Sequence, residues 1–231
     1  MLKKHYKTEN HPFKIFEKKI ISRLNNDLTI ADAGCGAKAP MLVTLIGKAK
    51  LLIGIDRIDF HPSLHNIGLK LLNNDLGKIE IENSSVDIIV SKSVMEHIED
   101  VDKVYNEFNR ILKPGGSVLL LVPNFWDYVS ILSYAIPNRL HKYIVSKMSG
   151  RASEDTFPTY YKSNTNRSIC RLAKNSGFDV ISMEYYGQYP YMLQFNSFLF
   201  FLGMLYDKMI TRISFLRFLR GWIMVELVKV K

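Results

Sequence analysis

Residues 29–40 read TIADAGCGAKAP. An apolar approach through Leu28, Ile30 and Ala31 runs into Asp32, then Gly34 and Gly36, then Pro40 ahead of the apolar run MLVTLI. That order predicts a buried strand, a tight glycine turn and a helix opened by proline in its first turn. Glycines at such a corner let backbone approach a ligand closely, and helix-start N–H groups face whatever is bound. Open α/β sheets hold nucleotide-like cofactors at corners of this kind.

By itself the loop leaves three readings open. Gly34-Cys-Gly36-Ala-Lys-Ala39 satisfies the dinucleotide pattern G-x-G-x-x-G/A, and Asp56 follows at about the ~20-residue ribose distance. A nicotinamide or flavin cofactor, S-adenosylmethionine and a plain structural turn therefore compete for it.

Working outward, helical and strand patterns alternate. Residues 12–24 place Phe13, Phe16, Ile20 and Leu24 on one stripe, a helix leading into the first strand. KLLIGIDR at 50–57 reads as a second buried strand ending in Asp56. Residues 68–72 follow after a crossover near the minimum length for a parallel pair. VDIIV at 86–90 is a fourth strand. Asp100 then caps a helix carrying Val101, Val104, Tyr105, Phe108, Ile111 and Leu112 at helical spacing. The run LKPGG at 112–116 stops that helix and turns the chain into a fifth strand at 117–122. This alternation argues for a parallel, doubly wound sheet. Beyond Pro123, two modest helical runs flank Pro137 and a polar loop covers 151–162. A helix at 163–176 and a strand at 178–185 follow. VELVKVK at 225–231 reads as an alternating strand at a sheet edge.

Composition limits the partners. The chain has 231 residues, 47% apolar and 23% charged, with two cysteines and a net charge of +9. Such a length suits a well-buried α/β domain. Two cysteines imply no disulfide framework, and MLKKHYKTENHPF has no apolar core of signal-peptide length. A cytoplasmic protein is the expectation. No His/Cys cluster has metal-ligand spacing, so no metal is expected. Lys208, Arg212, Arg217 and Arg220 adjoin FLFFLGMLY at 198–206, the most apolar run of the chain. That run is about half the ~20 residues that span a bilayer. A basic flank on an apolar helix suits an anionic membrane surface better than nucleic acid. The spacing predicts a helical stripe of Phe195, Phe198, Leu202, Leu205, Met209, Ile213 and Leu216 over 193–220. The stripe is either core folded onto the sheet or a membrane-facing surface.

Four stretches resemble the class I S-adenosylmethionine-dependent methyltransferases of the type 11 subgroup. They are DAGCG at 32–36, NDL at 74–76, VDIIVSKSVMEHIED at 86–100 and LKPGG at 112–116, in the family's order and at about its spacing. The NDL and LKPGG elements have no place in a nicotinamide fingerprint. The resemblance implies an α/β fold with a doubly wound, mostly parallel, Rossmann-like seven-stranded sheet and an antiparallel C-terminal edge hairpin. It implies a single methyltransferase domain over 1–231, with substrate-side insertions at about 124–163 and 187–221. It also implies roles for residues. Asp32, Gly34 and Gly36 would line the methionine moiety, with Cys35 in the same loop. Asp56 would accept both ribose hydroxyls, a carboxylate offering two acceptors for two donors. Asp75, beside Asn74, would accept from the adenine amino group with Leu76 packed nearby, and Ser91 would sit beside the sulfonium. Where the family has a third glycine this chain has Lys38.

Methyl transfer needs proximity, alignment and, for a protonated acceptor, a base. His97 in MEHIED is the candidate base, its ordinary pKa being near ~6.5; the competing reading is that it packs against its neighbours. The expected acceptor is a small molecule, lipid-linked, quinone-like or a glycan sugar, with peripheral contact to anionic membrane. No N/D-P-P-Y/W tetrapeptide follows the fourth strand, where SKSV stands, so nucleic acid is not an expected partner. The alternatives are an inactive cofactor-binding subunit, favoured by Lys38 but opposed by Asp56, Asp75 and LKPGG, and an NAD-binding Rossmann protein.

Overall fold

The computed structural model describes residues 5–135 and 157–230. Its frame is a sheet in the order β3-β2-β1-β4-β5-β7-β6. The parallel half comprises β1 (Thr29–Ala33), β2 (Leu51–Asp56), β3 (Leu69–Asn73), β4 (Val86–Lys92) and β5 (Leu112–Pro123). β6 (Phe178–Tyr186) and β7 (Trp222–Lys229) close it antiparallel. This is the doubly wound, mostly parallel α/β architecture that the alternating pattern predicts.

Both faces of the parallel strands are covered, so their sequences run almost continuously apolar. On one face Ala31, Ile53, Ile89 and Leu120 pack with α3 (Val101–Ile111) and α5 (Asn166–Asn175). Neighbouring strand positions Ile30, Leu52, Ile88 and Leu119 point the other way, onto α1 (Pro12–Ile21) and α2 (Pro40–Leu45). The helix signals hold at residue level. Asp100 accepts from the Lys103 N–H at 3.1 Å and caps α3, whose Val101, Val104, Tyr105, Phe108 and Ile111 are all buried. Phe16 and Ile20 of α1 are buried as well. α5 opens with a reciprocal capping box between Thr165 and Ser168.

Three expectations need correction. LKPGG does not lie between helix and strand, because β5 begins at Leu112, directly after α3. The C-terminal strand is not an edge: β7 lies between β5 and β6, and β6 is the edge. Glu226, one of the charges in that alternation, is only 6% exposed, because Arg23 reaches both of its oxygens with two guanidinium nitrogens. Lys19 adds a second positive charge 3.8 Å from Glu226 Oε2. Finally, residues 193–220 are not one helix. α6 spans Ser197–Arg212, and a separate 3₁₀ turn covers Ser214–Leu219. The face of α6 turned inward is Phe200, Gly203, Met204, Asp207 and Ile210, whereas Phe198, Leu202, Leu205 and Met209 lie exposed. Apolar residues surround nearly the whole helix, so spacing cannot choose its inner face. Gly203 does choose, since a Cβ there would lie 2.8 Å from both Pro190 and Leu193 side-chain atoms. α4 (Tyr128–Ala135) matches the first helical run after Pro123; Pro137, the run beyond it and the loop up to residue 156 lie outside the described residues.

Arg23→Ala would leave Glu226 buried with Lys19 as its remaining cation. A loss of about 2–3 kcal/mol is expected in urea unfolding, the scale of hydrogen bonds to a charged group. Combining Arg23→Ala with Glu226→Leu should recover most of it; a fully additive loss in the double variant would contradict the pairing.

Candidate functional site

The glycine loop sits at the carboxyl ends of β1 and β2. The Gly34 N–H donates to the Ile55 carbonyl at 2.8 Å, and the Gly36 N–H donates to Asp56 Oδ2 at 2.8 Å. Gly34 has φ +82°, and a Cβ built there would fall 2.2 Å from Val94 Cγ2. No side chain fits at that position. Gly36, at φ +74°, would meet nothing within 4 Å, so the second glycine borders open space. Ala39 ahead of α2 is also left-handed, at φ 38°. Lys38 is exposed, its side chain on the solvent side of the turn.

Asp32, at the end of β1, is buried, and among the described residues it forms no ion pair. Burial chiefly, with the nearby Asp56 charge, pushes its pKa up to about 7, while Lys92 pulls it down. Lys92 stands at the end of β4 with its ammonium 5.0 Å from the Phe13 ring centre. Asp56 is half-buried; its Oδ1 accepts from the Arg57 N–H at 2.7 Å. Three backbone donors thus orient this carboxylate and leave acceptor capacity on both oxygens. The Asn74 N–H binds the Asp56 carbonyl at 3.0 Å, which brings the NDL turn to the same edge. There Asp75 accepts from Gly77 and pairs with Arg57, and Leu76 is buried in the core.

Two candidates sit differently from their assigned roles. The Ser91 hydroxyl donates to the Ala33 carbonyl at 2.8 Å and pins β4 to β1. The Cys35 side chain is turned into the core on the α1 side, where burial pushes its thiol pKa up. His97 lies in the 3₁₀ turn Met95–His97 after β4. Its Nδ1 is 2.8 Å from the Pro158 carbonyl, which can only accept, so the proton is on Nδ1. Phe157 stacks edge-on against the ring.

The spacing rules miss Glu96, Lys92, Arg57 and Asp127. Glu96 is buried with Oε2 unpartnered, and burial holds its pKa up at about 8. Asp127, just ahead of α4, is likewise buried and pushed up to about 7. The signal available for each is position alone, since Lys92 ends β4 and the other three follow the end of a strand within four residues. Among the described residues, no group of three or more His, Cys, Asp or Glu is placed to hold a metal ion.

The raised carboxyls make stability pH-dependent. Asp32, Glu96 and Asp127 keep protons in the fold that the unfolded chain has released by about pH 5. The folded state holds the extra protons between about pH 4 and 8, so stability falls as pH rises through that window. His11, lowered by burial and by Lys92, acts in the opposite sense near its ordinary pKa. The Tm is expected to drop between about pH 6 and pH 8.5, and Glu96→Gln to reduce the drop; an equal slope in that variant would contradict the assignment.

A turn that excludes a Cβ, a buried acid with no ion pair, and carboxylates gathered at the ends of β1 to β3 suit a cofactor with a cationic end and a ribose. Residues 31–120 match the family described as a methyltransferase domain. The sterol 24-C-methyltransferase of Clavispora lusitaniae is 25% identical over 167 residues, covering 68% of this chain and 41% of that protein. The ubiquinone biosynthesis O-methyltransferase of Bartonella tribocorum is 27% identical over 105 residues, covering 43% and 42%. The chain thus spans about four-tenths of the length of the curated relatives it matches. A S-adenosylmethionine-dependent methyltransferase structure from Methanosarcina mazei shares the fold, with a TM-score of 0.59 at 15% identity, covering 92% of this chain and 97% of that one. Residues 31–120 thus carry the match to a methyltransferase domain of the type 11 group, on a fold shared with solved S-adenosylmethionine-dependent methyltransferases.

Proposed function

We propose that the chain transfers a methyl group from S-adenosylmethionine to a small, apolar or lipid-linked acceptor met at an anionic membrane surface. The cofactor supplies an activated methyl on a sulfonium. On this reading Asp32 faces the cationic methionine end, and Gly34 and Gly36 let that end lie along the loop with Cys35 beneath. Asp56, already oriented by backbone donors, takes the ribose hydroxyls, while Asn74, Asp75 and Leu76 hold the adenine. Ser91 serves by fixing β4 against β1. His97, with its proton on Nδ1, presents Nε2 as a base.

The acceptor reading rests on the outer face of α6 and its turn. Phe198, Leu202, Leu205 and Met209 are exposed there, followed by Ile213, Phe215 and Phe218, and Phe215 is 82% exposed. Soluble monomers rarely show contiguous apolar patches of this kind. Lys208, Arg212 and Arg217 are exposed on the same segment, whose single acid, Asp207, is buried. Aromatic and aliphatic side chains with a basic flank match the chemistry of an anionic lipid interface. The names of the two relatives, for a sterol and for ubiquinone biosynthesis, point to apolar acceptors. Among the described residues no helix is long and apolar enough to cross a membrane.

Two measurements test this. Asp56→Ala should weaken S-adenosylmethionine binding by about 2–3 kcal/mol in calorimetry, with little change in apo Tm; unchanged affinity would place the ribose elsewhere. Flotation should show binding to anionic vesicles that weakens in salt, and Arg212→Glu with Arg217→Glu should abolish it. Absence of flotation under every condition would sink the membrane part of the proposal.

A further inference from the structure

Six side chains that the glycine loop does not engage meet beyond it. Asp127 precedes α4 and Tyr128 opens it; Tyr206 and Asp207 lie on α6, Tyr189 follows β6, and Tyr6 comes from the N-terminal segment. Tyr128 and Tyr206 stand edge to face with ring centres 5.5 Å apart, and Tyr6 and Tyr189 lie 4.3 Å apart. The two acids act on these rings as one group. Asp127 and Asp207 both raise the pKa of Tyr128 and of Tyr206, after burial, and Tyr6 hydrogen-bonds Asp207.

Asp127 is 1% exposed and Asp207 8%, yet each has an Oδ1 without a hydrogen bond, and the Tyr128 hydroxyl is also unpartnered. Among the described residues neither acid forms an ion pair. Arg220 is within electrostatic reach of Asp207, but its guanidinium donates to the carbonyls of Tyr185, Ile210 and Thr211. Buried acids with open oxygens either keep their protons, which burial favours for both, or release them to face a bound cation. Tyrosine faces attract an organic cation further. The cluster also adjoins the turn after β4: the Tyr161 N–H donates to the Glu96 carbonyl at 3.3 Å, and its ring stands 5.7 Å from that of Phe125, two residues before Asp127.

We propose that this cluster is a binding site for a protonated amine, so that the methyl acceptor carries an amino or alkylammonium group with Asp127 and Asp207 as counter-ions. The inference deepens the methyltransferase reading and rests on it. It assigns the half-buried tyrosines to the walls of the acceptor site and the two acids to its floor.

The test is calorimetry on the full chain loaded with S-adenosylhomocysteine, using ethanolamine, choline and 3,3-dimethylbutan-1-ol, the uncharged isostere of choline. The two cations are expected to bind, and the isostere at least about tenfold more weakly. Asp207→Asn and Tyr206→Leu should each weaken choline binding about tenfold while S-adenosylhomocysteine affinity stays unchanged. Phosphatidylglycerol vesicles with and without phosphatidylethanolamine separate the sources. Tighter binding with phosphatidylethanolamine, lost in Asp207→Asn, identifies a lipid headgroup; binding of free ethanolamine alone identifies a soluble amine. Equal affinity for choline and its isostere, or binding of neither cation, overturns the amine site even if the variants fail to fold. A wild-type chain that does not bind S-adenosylhomocysteine sinks the proposed function itself.

Discussion

Where β1 ends, the backbone at Gly34 passes so close to Val94 that no side chain fits between them. That approach lets the loop hydrogen-bond back to Ile55 and Asp56 rather than run on as a wider turn. It also brings the turn after β4, which carries Glu96 and His97, up against the glycine loop. The NDL turn joins through the Asn74 N–H and the Asp56 carbonyl. One steric constraint at a single Cα therefore fixes which strand ends share an opening. Elsewhere the sheet is ordinary parallel packing between two apolar layers.

Around that opening the fold concentrates groups that a purely structural protein would avoid. Asp32, Glu96, Asp127 and Asp207 are all buried, although the chain carries a net charge of +9. The basic residues that produce this charge lie mostly elsewhere, on exposed faces such as the outer side of α6. Separating acids inside from bases outside lowers stability locally, and sites that bind cations are where such costs are retained.

How far the sequence could be read follows from how many causes act on each residue. α1 and α3 were legible because burial alone determines their stripes, and Asp100 makes its capping bond as expected. The glycine loop, Asp56 and the NDL turn were legible because tight turns and strand ends demand particular residue types. β7 was misjudged because Glu226 looks like an edge charge until Arg23, about 200 positions away in sequence, is brought beside it. The inner face of α6 stays open in the sequence because apolarity all round a helix carries no direction, and the direction comes from the close approach of Gly203 to Pro190 and Leu193. Ser91 and Cys35 lie at the ends of β4 and β1, with their side chains turned toward the backbone and the core. Glu96 and Asp127 carry no local pattern, and burial alone singles them out.

The position of β7 between β5 and β6 constrains how the chain assembles. β5 presents Leu119, Leu120, Leu121 and Val122 along the edge that β7 later covers, and about a hundred residues must be synthesised before that partner exists. β6 leaves the ribosome first but has no place in the sheet until β7 arrives. During that interval an apolar β5 edge stands open, the geometry that favours pairing with another chain. Late, non-local strand insertion makes this step slow, so the time for which the β5 edge stays open is set by the arrival of β7 rather than by the parallel strands.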